Sequence, residues 1–362
     1  MTILTWTDRA NHNDVTWAAE CYAADLELVV SVGVSNISDL GVITSYSMAS
    51  NDGGASWSIG SGEDNYIFAD VCYSPELNIF VVVGGYGTHF GLGSVSTACS
   101  SATSTDGLSW TAQTIGPDVD FSGYVLTHVV WSPELSLFVA IGTTESSYGT
   151  YYSSDGVNWY PGTGFANNWN CVCWSPELSL FVALAGGNGV STSTDGMNWS
   201  YSTGGAGHSG QLWIDLCWSP ELSLFVAISA TVGYTHHIQT SSDGFTWYGG
   251  SSSVPNYSWT TVNWSADLGV FIVLGYRTVH TMVSSDGINW SLDSDVPSAL
   301  GTGILAEAEY KCVLWNPYYS NFVAIGVYYS VEPDYFIYGK VVTGTGAVAP
   351  ETNVLLMVME MN

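Results

Sequence analysis

One phrase occurs seven times along this chain, and the spacing of its copies limits the fold more than any other feature. The clearest copies read V-V-W-S-P-E-L-S-L-F-V-A-I-G at Val129 to Gly142, V-C-W-S-P-E-L-S-L-F-V-A-L-A at Val172 to Ala185, and L-C-W-S-P-E-L-S-L-F-V-A-I-S at Leu216 to Ser229. Looser copies centre on Tyr22, Tyr73, Trp264 and Trp315, so the aromatic anchors are Tyr22, Tyr73, Trp131, Trp174, Trp218, Trp264 and Trp315. Successive anchors lie 51, 58, 43, 44, 46 and 51 residues apart. Short alternating apolar runs repeated at such a period predict a ring of small antiparallel sheets, a β-propeller. Within each copy, an alternating strand leads to the anchor, Ser-Pro-Glu-Leu turns the chain, and Leu-Phe-Val-Ala-Ile returns as a buried strand.

A second motif follows each of the first six copies. It reads S-N-D-G-G-A-S-W at Ser50 to Trp57, then S-T-D-G-L-S-W (Ser104 to Trp110), S-S-D-G-V-N-W (Ser153 to Trp159), S-T-D-G-M-N-W (Ser193 to Trp199), S-S-D-G-F-T-W (Ser241 to Trp247) and S-S-D-G-I-N-W (Ser284 to Trp290). It resembles the Asp-box of bacterial neuraminidase-type repeats, although only the first copy has the full S-x-D-x-G-x-x-W spacing. The resemblance implies that Asp52, Asp106, Asp155, Asp195, Asp243 and Asp286 brace the turn between the third and fourth strands and do no chemistry. Physically, a carboxylate there accepts backbone N–H bonds and Gly supplies positive φ.

Tryptophan gives a check on the frame. Of 16, five are anchors, six close an Asp-box and four (Trp17, Trp169, Trp213, Trp259) stand five residues before an anchor. Trp6 is left over, and the seventh repeat has no box. The economical arrangement makes the N-terminal strand the outer strand of the last blade, closing a seven-bladed ring of four-stranded antiparallel blades and hiding its open edges. The propeller then covers 1–343. An apolar tail, 344–362, is left either to close the last blade itself or to dock on another partner edge.

The chain carries 32 Asp and Glu against four basic residues (Arg9, Arg277, Lys311, Lys340), a formal net charge of −28. That excludes nucleic acid, whose binding needs clustered cations, and anionic membrane surfaces. Halophilic adaptation is the competing source of such a charge, though it would add more acid. The seven cysteines are repeat-locked: Cys21, Cys72, Cys173 and Cys217 directly precede an anchor, and Cys171 and Cys312 stand three before one. They read as small buried hydrophobes held apart by the ring, with Cys99 alone in a long loop. No signal-peptide pattern and no span long enough for membrane insertion is visible, so cytoplasmic synthesis is expected.

Catalysis finds little support. A sialidase clamps its substrate carboxylate with three arginines, and this chain has two, so that activity is rejected. Glu76, Glu134, Glu177 and Glu221 recur by repeat, which marks them as structural. Among non-repeated acids (Glu63, Asp64, Asp118, Asp120, Glu145, Asp215) no pair suits glycoside hydrolysis. His89, His128, His208, His236, His237 and His280 are scattered and read as exposed loop residues, and no metal or cofactor is expected. Five residues before each anchor, six of seven positions are aromatic: Trp17, Phe68, Trp169, Trp213, Trp259 and Tyr310. Exposed, they would be sugar-stacking platforms. Buried, they would pack blade on blade, which repetition predicts equally well. Loops at Gly84–Ser101, Gly116–Tyr124, Thr143–Tyr151, Ala230–Gln239 and Tyr276–His280 vary between copies, and specificity usually lives in such loops.

The pairing of W-S-P-E-L-x-L-F-V-A with S-x-D-G-x-x-W also resembles repeats of tailed-phage virion proteins: tail fibres, tail-tip and head-decoration proteins. The resemblance spans residues 16 to 343. It implies a virion component, a homo-oligomer among the options, that recognises a host-surface glycan or protein through the variable loops. The alternatives are a free propeller lectin and, behind it, a glycoside-active enzyme.

Overall fold

The computed structural model describes residues 3–13, 15–35, 44–64, 66–87, 96–114, 125–143, 149–164, 169–186, 189–202, 211–231, 237–249, 257–276, 281–292, 307–329 and 337–347. The chain is an all-β propeller of four-stranded antiparallel blades. After β1 (Ile3–Asn13), sheet 1 is β2 (Val15–Ala23), β3 (Leu28–Ser35), β4 (Thr44–Ser50) and β5 (Ser58–Asp64). Sheet 2 is β6 (Tyr66–Ser74), β7 (Ile79–Gly87), β8 (Ser96–Ser104) and β9 (Thr111–Thr114). Sheet 3 is β10 (Val125–Ser132), β11 (Leu137–Thr143), β12 (Thr150–Ser153) and β13 (Tyr160–Pro161). Sheet 4 is β14 (Trp169–Ser175), β15 (Leu180–Ala185), β16 (Val190–Ser193) and β17 (Ser200–Ser202). Sheet 5 is β18 (Trp213–Ser219), β19 (Leu224–Ser229), β20 (Ile238–Ser241) and β21 (Tyr248–Gly249). Sheet 6 is β22 (Trp259–Ser265), β23 (Val270–Gly275), β24 (Met282–Ser284) and β25 (Ser291–Leu292). Sheet 7 takes β26 (Glu307–Asn316), β27 (Asn321–Tyr329) and β28 (Ile337–Ala347), with β1 paired outside β28 from Ile3↔Ala347 to Asn13↔Tyr338.

The hairpin of the first phrase forms for local reasons. In sheet 3, Ser132 Oγ accepts from the Leu135 amide at 3.3 Å, and the Ser136 amide donates to Pro133 O at 3.1 Å. Pro133 presets one corner, and Ser136 takes the left-handed conformation at φ 49°. The return strand then buries Phe138, Val139, Ala140 and Ile141 completely. A fully buried Phe contributes about 1.5–3 kcal/mol from burial alone.

Each core lies between sheets. Every described boundary holds one apolar cluster, and the boundary of sheet 7 with sheet 1 is built from Leu314, Val323 and Ile325 against Val15, Trp17, Val29 and Met48. In the inner strand of every sheet the register slips between the residues five and three before the anchor, as between Trp169 and Cys171. Such a bulge releases one side chain from the ladder, and three of the released residues clasp the next sheet. Thr127 Oγ1 donates to Trp169 O (3.3 Å), Asn170 Nδ2 to Trp213 O (2.9 Å) and Thr260 Oγ1 to Tyr310 O (2.6 Å).

Several expectations change. The supposed loop Gly84–Ser101 is largely strand, since β7 and β8 pair as far as Gly87↔Ser96 and carry Cys99 opposite Gly85. The strand of sheet 7 runs on to Ala347, past the expected boundary at 343. The remaining tail, 348–362, lies outside the described residues.

Candidate functional site

The two faces of the propeller are built differently. On one, every connection from the first to the second strand is four residues long, and every box between the third and fourth is six or seven. On the other, connections from the second to the third strand run from 4 to 8 residues, and those between sheets from 1 to 14.

On the regular face, the repeated acids have a structural task. Trp131 Nε1 donates to Glu76 Oε2 of the preceding sheet at 2.9 Å, Trp174 to Glu134 at 2.9 Å, Trp218 to Glu177 at 2.7 Å, Trp264 to Glu221 at 2.7 Å and Trp315 to Asp267 at 2.7 Å. Tyr73 makes the same link to Asp25 through its hydroxyl at 2.9 Å. Six of the seven anchors thus fasten their sheet to the one before, which is why acid and aromatic recur together.

The Asp-boxes act the same way. In sheet 3, Asp155 Oδ1 accepts from the Val157 and Asn158 amides (2.9 and 2.7 Å) and from Ser153 Oγ (3.0 Å). Burial pushes this carboxyl up, but those donors outweigh it and hold it below the usual carboxylate range. The same holds for Asp52, Asp106, Asp195, Asp243 and Asp286. Gly156 has φ +72°, and a Cβ there would stand 2.7 Å from Val81 Cγ2 of sheet 2. The box Trp159 packs in the cluster between sheets 2 and 3, its Nε1 donating to Gly156 O at 3.1 Å. The box is therefore a wedge against the preceding sheet.

The aromatic ring is interior. Trp17, Phe68, Trp169, Trp213, Trp259 and Tyr310 are all at most 3 % exposed. A ring face must be open for a sugar to stack on it, so the proposed platforms are corrected: the six side chains pack between sheets. Burial follows from their place at the start of the inner strand, where each faces the second strand of its neighbour, as Trp17 does with Val323 and Ile325.

Toward the axis stands a second group of polar side chains. Asp70 Oδ1 accepts from the Val71 amide and Oδ2 from the Val129 amide of the next sheet, both at 2.8 Å. Asp215 repeats the pattern with Leu216 and Val262, both at 2.8 Å. Thr261 Oγ1 accepts from the Val313 amide at 3.2 Å, and Asn263 Oδ1 from the Trp315 amide at 3.3 Å. These side chains satisfy amides on the otherwise unpaired edge of the next inner strand. Burial pushes Asp70 up to about 7 and Asp215 up to about 6, and Asp215 raises Asp70 further by its charge. The cysteines sit with the apolar clusters between sheets. Cys21, Cys72, Cys173, Cys217 and Cys312 are free and partly accessible, Cys171 is free and buried, and burial pushes every one of these thiols up, Cys173 to about 12. Such thiols are poor nucleophiles.

The histidine expectation also changes. His237 is 1 % exposed, and burial pulls His128 down to about 4, keeping it neutral. His89, His208, His236 and His280 lie outside the described residues, as do Asp118, Asp120, Glu145 and most of the variable loops. Among the described residues no group of three or more His, Cys, Asp or Glu is arranged to hold a metal ion, and no helix is long and apolar enough to cross a membrane.

No family model matches the chain, and no curated protein does. Among solved structures it is similar to one described as "YCF48 bound to D1 peptide", with a TM-score of 0.61 and 15 % identity over 93 % of this chain and 96 % of that one. Likeness at that identity shows the β-propeller fold.

Proposed function

We propose that the seven sheets are seven blades of one ring closed by β1, and that the ring is a non-enzymatic recognition module of a phage virion. It would bind a host-surface glycan or protein through the face with the variable connections, while the tail contacts other virion proteins. The observation carrying this reading is the contrast between faces: connections are uniform on one and run from 1 to 14 residues on the other. A repeated scaffold with one diversified face is the arrangement of a binding protein. The acids support it too. The turn acids hold the anchor rings, the box aspartates hold their own turns, and Asp70 and Asp215 each hold two amides. The virion assignment rests on the resemblance of the repeats and on the scarcity of Lys and Arg, which limits cleavage by trypsin-like proteases.

The test uses the full chain on a glycan array and on a panel of bacterial cells, beside a variant whose connection 293–306 is replaced by a short Gly-Ser linker. Saturable binding that the replacement removes, and that Glu134→Gln on the regular face leaves intact, is the expected result. Binding that survives replacement of each variable connection in turn would overturn the reading.

A further inference from the structure

Two residues before each anchor, six sheets carry an apolar side chain: Val71, Val129, Val172, Leu216, Val262 and Val313. Sheet 1 carries Glu20. Its cross-strand neighbour also departs from the rule, since Ser31 stands where the other sheets have Val or Ala. Glu20 is 7 % exposed, and neither carboxylate oxygen makes a close hydrogen bond. The Leu314 amide and the Ser31 hydroxyl lean toward it without offsetting its burial.

The location matters as much as the burial. At this position the side chain faces the preceding sheet, so Glu20 lies in the boundary between sheets 1 and 7, where the two ends of the chain meet. Among the described residues that boundary lacks the fastening used at the others: Tyr318 stands in the turn of sheet 7 where the other turns carry the acid that grips the next anchor. In its place Asn321 Nδ2 donates to Gly53 O at 2.7 Å.

We propose that this joint is proton-gated: closed when Glu20 carries its proton and loosened when the carboxylate ionises against the apolar wall of sheet 7. Its titratable neighbours supply no positive charge: its own strand offers the Cys21 thiol and β26 the Cys312 thiol, both held neutral by burial, with Asp70 and Asp215 adding negative charge at those thiols. The one cation of β26, Lys311, is paired with Glu309. A buried carboxylate with no close donor, and no cation beside it among the described residues, is favoured in its neutral form. The sign follows. A carboxyl that binds its proton more tightly in the closed joint than in the open one favours closure at low pH. That preference is lost as pH rises from the ordinary carboxylate range through the raised value.

The test is hydrogen–deuterium exchange of the full chain at pH 5 and pH 8, corrected for intrinsic exchange, on the wild type, Glu20→Gln and Glu20→Val. In the wild type, protection of β1 and β26 should fall by about tenfold or more at the higher pH relative to β14 and β15, which lie away from the joint and carry neither Asp70 nor Asp215 nor their amide partners. Both variants should hold that protection constant. Should Glu20→Val fail to fold, Glu20→Gln still decides. Asp70→Asn separates the other titrating carboxyls and should keep the wild-type response at this joint. Equal protection of β1 and β26 at both pH values in the wild type, or the same pH response in Glu20→Gln, would overturn the proposal.

Discussion

Trp131 and Glu76 stand 55 positions apart in sequence and meet at 2.9 Å across the boundary of two sheets, indole N–H to carboxylate. The same pairing of Trp174 with Glu134 makes a clean experiment. Glu134→Ala removes the acceptor and leaves a mostly buried indole donor, at a cost of about 1–2 kcal/mol. Glu134→Gln keeps an acceptor and should cost less. Denaturant unfolding followed by Trp fluorescence checks both, and equal stability of Glu134→Ala and the wild type would show that the bond is incidental.

The turns offer a stabilising change. Ser136, Ser179 and Ser223 hold φ near +50°, while sheet 6 has Gly269 at the matching place. A non-glycine residue there costs about 1–2 kcal/mol, partly balanced by the extra freedom glycine has when unfolded. Ser136→Gly with Ser179→Gly and Ser223→Gly should therefore raise the melting temperature by a few degrees, about 1–2 kcal/mol in total. A fall in melting temperature would refute this.

Two glycines separate strain from crowding. Gly269 and Gly156 both have positive φ, but nothing lies within 4 Å of a Cβ at Gly269, whereas at Gly156 it would meet Val81 Cγ2 at 2.7 Å. Gly269→Ala should cost about 1 kcal/mol and Gly156→Ala distinctly more, about 2–4 kcal/mol, since sheet 2 must give way. Equal losses in urea unfolding would mean that the box does not wedge the sheets.

The two buried carboxyls predict a pH slope. Asp70 and Asp215, raised to about 7 and about 6, favour the folded state when protonated. Their contribution is present below pH 4 and is lost as pH rises through those values. Box aspartates, held low, work oppositely and weaken the fold as pH falls below the ordinary carboxylate range. Stability should therefore peak in mildly acidic buffer. Asp70→Asn leaves one of two amides without its acceptor, lowering stability by about 1–3 kcal/mol, but it should flatten the slope between pH 5 and 8. A slope as steep as that of the wild type would assign the titration elsewhere.

The repeated features were readable because each repeats its cause. The anchor, the turn, the box and the return strand recur together, so their roles follow from period and turn chemistry. The ring at Trp17, Trp169, Trp213 and Trp259 was visible as a ring, yet its exposure was not. Packing and stacking predict the same periodicity, and the decisive variable is how closely neighbouring sheets approach. Asp70 and Asp215 were hidden for the opposite reason. They share the place three before the anchor but hold it in only two of the seven copies, and their partners, Val129 and Val262, are backbone amides in another sheet. Glu20 becomes conspicuous only when the seven inner strands are aligned through their bulges.

From sheet 2 onward, every described fastening on the regular face points backward along the chain, anchor to earlier acid and box to earlier sheet, while the box of sheet 1 meets Tyr319 and Asn321 of sheet 7. A ribosome delivering this protein from the N-terminus would thus always present a new sheet to a surface already made. The exceptions are that box and β1, which precedes the other strands and pairs with β28. Some three hundred residues must emerge before that strand finds its neighbour, so assembly proceeds as a string of short-range steps followed by one long wait, and the joint between the ends is the last place to become protein.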